Sequence, residues 1–84
     1  MENETRISED LIKALTEKFS LATVFILELP RMGIKQITAM EKCENMLYLN
    51  LSCNQILRIQ GLQNCVALEW LNLSGNNISQ VEGL

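Results

Sequence analysis

The chain has 84 residues, is 48% hydrophobic but only 5% aromatic, and carries seven basic against ten acidic side chains. That length allows one small domain with an aliphatic core, and neither residues 1–22 nor residues 23–84 form the basic patch that a phosphate backbone requires, so no nucleic acid is expected as a partner. Histidine is absent and the cysteines, Cys43, Cys53 and Cys65, contain no C-x-x-C pair, so neither a metal site nor a cofactor is expected.

Residues 1–6 are polar and acidic, with no apolar run behind a basic end, unlike a secretory signal. Residues 8–19 have the pattern of an amphipathic helix. Ser8 is placed as its N-cap, Glu9 and Asp10 favour the positive end of the dipole, and Leu11, Ile12, Leu15 and Phe19 share a face. The longest apolar stretch, residues 21–27, contains Thr23 and falls far short of the roughly 20 residues of a membrane helix. No membrane partner is therefore expected, and a reducing cytoplasm (with cilium or nucleus as other settings) suits the unpaired thiols.

From residue 24 onward the chain repeats. Apolar anchors fall at Met46, Leu49, Leu51, Ile56, Ile59 and Leu62, with Asn54 between them and Gly61 near the end. A shift of 22 gives Leu68, Leu71, Leu73, Ile78, Val81 and Leu84, with Asn76 and Gly83. The opposite shift gives a weaker copy, Val24, Leu27, Leu29, Ile34, Ile37 and Met40, in which Met32 replaces the Asn and Ala39 the Gly. The units are thus 24–45, 46–67 and 68–84, behind an N-terminal segment 1–23 whose helix would cap the first unit. Period-two alternation around Leu49 and Leu71 predicts short strands with one buried face, laid in parallel about 4.8 Å apart. Asn54 and Asn76 are expected to form a structural ladder, satisfying backbone groups at the turns.

These residues resemble the 22-residue leucine-rich repeats, of the type found in the phosphatase-1 regulatory subunit and axonemal dynein light chain 1. The likeness is carried by the Asn-Leu-Ser-x-Asn-x-Ile turns within residues 46–84. It implies an α/β solenoid: a horseshoe fragment with short parallel strands and an N-terminal capping helix. It also implies a protein-binding scaffold or adaptor with no catalytic residues. The alternative is a truncated product of a longer protein, self-associating through an uncapped C-terminal end.

A partner protein would meet the residues flanking the buried strand leucines. The period sets Ile26, Tyr48 and Trp70 in one column and Glu28, Asn50 and Asn72 in the next. Pro30, Ser52 and Ser74 follow, then Arg31, Cys53 and Gly75 nearer the turn. Tyr48 and Trp70 are the only Tyr and Trp of the chain, and such residues dominate interface energies. Cys43 and Cys65, also 22 apart, read as small buried apolar residues. No G-x-S-x-G and no glycine-rich phosphate loop is present, so an enzyme is not expected. The sequon-like Asn50, Asn72 and Asn77 triplets need no glycan to explain them, the first two arising from the repeat itself.

Overall fold

The computed structural model describes residues 6–81; Gly83 and Leu84, the last anchors of the third unit, lie outside them. The first element is helix α1, Glu9–Thr16. The Ser8 side chain caps it by accepting from the Leu11 N–H at 3.0 Å, with Glu9 and Asp10 in the first turn.

The helix is shorter than the spacing predicts, because Glu17 turns into the left-handed region (φ 58°) and its N–H bonds the Lys13 carbonyl. The expected apolar face narrows accordingly. Ile12 is buried, Leu15 is exposed, and Phe19, beyond the helix, is 98% exposed. Release from the helix lets the chain form a 3-10 turn over Leu21–Thr23 and bury Leu21. The helix segment is tied to the first unit by the Thr38 hydroxyl, which donates to the Ile7 carbonyl at 2.7 Å, and by an exposed Lys42–Glu9 pair at 3.5 Å. Ile7 and Ile12 join the common core.

Three short strands follow at one position in each unit: β1 (Ile26–Glu28), β2 (Tyr48–Asn50) and, after the return strand β3 (Arg58–Ile59), β4 (Trp70–Asn72). β1, β2 and β4 pair in parallel and in register, Ile26 beside Tyr48 beside Trp70 and Leu27 beside Leu49 beside Leu71. On the return side β3 pairs in parallel with β5, Gln80–Val81. Of the short helical and extended returns that 22 residues per unit allow, the chain takes the extended one at β3 and β5.

Backbone hydrogen bonds recur at the same spacing. Leu29 N–H to Asn50 O is followed by Leu51 N–H to Asn72 O, and Arg31 N–H to Ser52 O by Cys53 N–H to Ser74 O. Polar main-chain groups leaving one unit are thus met by the next.

The anchors of the first two units form the core, with Val24, Leu27, Leu29, Ile34, Ile37, Met40, Met46, Leu49, Leu51, Ile56 and Leu62 buried. Each such side chain contributes about 1.5–3 kcal/mol by leaving water. Leu68, Leu71, Leu73 and Ile78 of the third unit are partly buried against it, as is Ile59, whereas Val81 is exposed. Periodic packing also begins ahead of residue 24. Leu21, Cys43 and Cys65 are all buried, and each carbonyl accepts from the N–H three residues on.

Two turn positions take a left-handed backbone in more than one unit. Arg31, Cys53 and Gly75 share one (φ 55°, 58° and 73°), Ala39 and Gly61 the other (φ 64° and 76°). At Gly61 a Cβ would also come within 3.0 Å of the Ile37 carbonyl oxygen, so glycine answers both demands there.

Candidate functional site

The strand register builds the site. In β1, β2 and β4 the middle residue is directed inward, leaving its neighbours on the open face. Tyr48 and Trp70, Cα partners in the ladder, stack with ring centroids 4.2 Å apart and planes 7° from parallel. Trp70 nonetheless remains 45% exposed, and Ile26, beyond Tyr48, 63% exposed.

Two further apolar residues border this column. Phe25 and Leu47 precede the strands, are exposed, and are joined through the Phe25 carbonyl, which accepts from Leu47 N–H at 2.8 Å and Tyr48 N–H at 3.1 Å. They also stand 22 residues apart, so the repeat itself carried the signal, but their place ahead of the alternating stretch hid it. The third unit has exposed Glu69 at that position. Ile26, Tyr48 and Trp70 form a column across the three units, with Ile26 and Trp70 exposed and Tyr48 half-buried, and Phe25 and Leu47 are exposed just ahead of β1 and β2.

The adjacent column is polar and ordered. Asn50 donates from Nδ2 to Glu28 Oε2 at 2.8 Å and accepts the Ser52 N–H on Oδ1 at 2.9 Å. Asn72 Oδ1 accepts from both the N–H (3.0 Å) and the hydroxyl (2.7 Å) of Ser74. Partial burial, then the Glu28 carboxylate and a hydrogen bond to it, push the Tyr48 phenol above its ordinary pKa. Glu28 thus accepts from the Asn50 amide beside the aromatic column.

The turn asparagines bond backbone and not one another. Asn54, 6% exposed, accepts the Met32 and Ile34 N–H groups on Oδ1 at 2.9 and 3.1 Å. Its Nδ2 donates to the carbonyls of Leu29, Leu51 and Ser52. The first turn, where Met32 stands in the Asn position, is therefore covered from the second unit. Asn76 does the same one unit on, accepting from Ile56 N–H and donating to Leu51, Leu73 and Ser74 carbonyls.

Cys43 and Cys65 are buried free thiols, and Cys53 is an exposed one. Burial, with smaller contributions from Cys65, Glu9 and Glu41, pushes the Cys43 thiol up to about 11. Burial raises Cys65 as well, with Glu41 adding to it, and its Sγ lies 3.6 Å from the Met40 carbonyl. Raised thiols are poor nucleophiles and poor metal ligands. Among the described residues no cluster of His, Cys, Asp or Glu could hold a metal, and no helix is long and apolar enough to cross a membrane. An open cavity of about 340 Å³, lined by Lys35, Gln36, Leu57, Arg58 and Gln60, lies on the return side, away from both columns.

Residues 34–78, just over half the chain, match the model of a family described as leucine rich repeat. No curated protein and no solved structure matched.

Proposed function

Because the chain belongs to the leucine-rich repeat family, whose units generally serve protein interaction and not catalysis, we propose that it is a protein-binding scaffold docking a partner on the open face of its three-stranded sheet. The observation that carries this reading is the column of Ile26, Tyr48 and Trp70 on the open face of the paired strands, where Ile26 and Trp70 stay exposed. A cross-strand aromatic pair accounts for only about 0.2–1 kcal/mol of stability. A buried aromatic anchor in an interface is worth about 2 kcal/mol or more.

In this reading the face is the concave side of a horseshoe solenoid, and Glu28, Asn50 and Asn72 form its polar rim. The helix-bearing segment ahead of residue 24 is its cap, and units 24–45, 46–67 and 68–84 are its turns. The subfamily in this reading is the phosphatase-1 regulatory subunit and axonemal dynein light chain type, and the chain resembles the N-terminal part of leucine-rich repeat-containing protein 61. The setting is the cytoplasm.

Selection of displayed peptides on the immobilised chain tests the docking face. Selected binders should lose at least tenfold in affinity to Trp70→Ala and Tyr48→Ala, each checked for an unchanged circular dichroism spectrum, and nothing to Val66→Ala, exposed outside these columns. Binders insensitive to both aromatic substitutions would overturn the assignment.

A further inference from the structure

We infer that the docking face is built to take an arginine-bearing segment of its partner, the guanidinium resting on Glu28 beside the Tyr48–Trp70 stack. This rests on the docking reading above and adds the chemistry of the occupant. Three observations meet at one place.

Glu28 is exposed and its carboxylate is positioned in advance by Asn50, whose Nδ2 donates to Oε2 at 2.8 Å. That neighbour is neutral, so the negative charge is oriented without being neutralised. Among the described residues no Lys or Arg is seen in an ion pair with Glu28. Glu69, just ahead of Trp70, is exposed as well, and the chain carries a formal net charge of −3.

Such an arrangement favours a cation over an anion. It favours guanidinium over ammonium, because a planar, weakly hydrated group can bond a carboxylate edge and lie against an aromatic surface together. Apolar side chains neighbouring that arginine would pack on the exposed Ile26. An acidic segment would meet the Glu28 carboxylate where the arginine is expected, with Arg31 nearer the turn as the exposed cation of that face.

The test begins with a random short-peptide library displayed against the chain, with binders retained only if Trp70→Ala abolishes them. The retained peptides are expected to share an arginine at a fixed position. One of them is then synthesised with arginine and with citrulline, its neutral isostere, and titrated against the fluorescence of Trp70, the sole tryptophan. Citrulline and Glu28→Gln should each weaken binding about 3- to 10-fold. The two losses should not add, and added salt should shrink the difference. Retained peptides without arginine, or a citrulline loss as large on Glu28→Gln as on the unaltered chain, would overturn the inference. Binders that need Trp70 but ignore Glu28→Gln would leave the docking face standing and remove the arginine from it. A library yielding no Trp70-dependent binder would overturn both.

Discussion

Ala39 and Gly61 occupy equivalent turns one unit apart and share a left-handed backbone, φ 64° and 76°. A non-glycine residue in that region costs about 1–2 kcal/mol, while glycine elsewhere costs about 0.5–1 kcal/mol in chain entropy. Ala39→Gly is therefore expected to stabilise the chain by about 0.5–1 kcal/mol. Gly61→Ala should destabilise it by more than that gain, since its Cβ would also press on the Ile37 carbonyl at 3.0 Å. Urea midpoints of the two variants check the opposed signs.

Asn54 gives a second prediction. Its carboxamide serves the Met32 and Ile34 N–H groups and the Leu29 carbonyl, all of the preceding unit. Asn54→Ala would leave these groups without that partner, each costing about 1–3 kcal/mol where water cannot enter, so a loss of at least 3 kcal/mol is expected. Asn76→Ala should cost less, because Asn76 is only partly buried and accepts a single backbone N–H, that of Ile56. Equal losses in equilibrium unfolding would contradict the asymmetry.

These two positions show what could be read in the residues and what could not. The 22-residue period, with its alternation at Leu49 and Leu71, already implied parallel strands in register and placed Tyr48 beside Trp70 in a column. It also marked Met32 as unable to act as Asn54 does. Which group covers the first turn was not legible, because that depends on a side chain reaching back a whole unit. The short helix was misjudged for a related reason: Leu15 and Phe19 have helical spacing, yet the turn at Glu17 releases the chain so that Leu21 can enter the column of Cys43 and Cys65. Phe25 and Leu47 repeated visibly but lay outside the alternating stretch. Spacing alone assigns them no face.

The thiols carry a pH dependence with a defined sign. Cys43 moves from 9.0 to about 11 on folding, so the folded chain keeps the proton longer than the unfolded one. The stabilising contribution is complete below about pH 9 and is lost as pH rises through about 11. Unfolding midpoints should fall over that window, and Cys43→Ala should flatten the fall. At neutral pH a thiol reagent should modify exposed Cys53 promptly and buried Cys43 and Cys65 only at the rate of opening. Three equal rates would contradict the burial.

A partner docked on the Tyr48–Trp70 face would shield those rings from solvent. Oxidative footprinting of the chain with and without a selected binder reads that shielding one side chain at a time. Binding is predicted to slow oxidation at Tyr48 and Trp70 while leaving Phe19, exposed beyond the helix, unchanged. Protection of Phe19 with no change at Trp70 would contradict docking there.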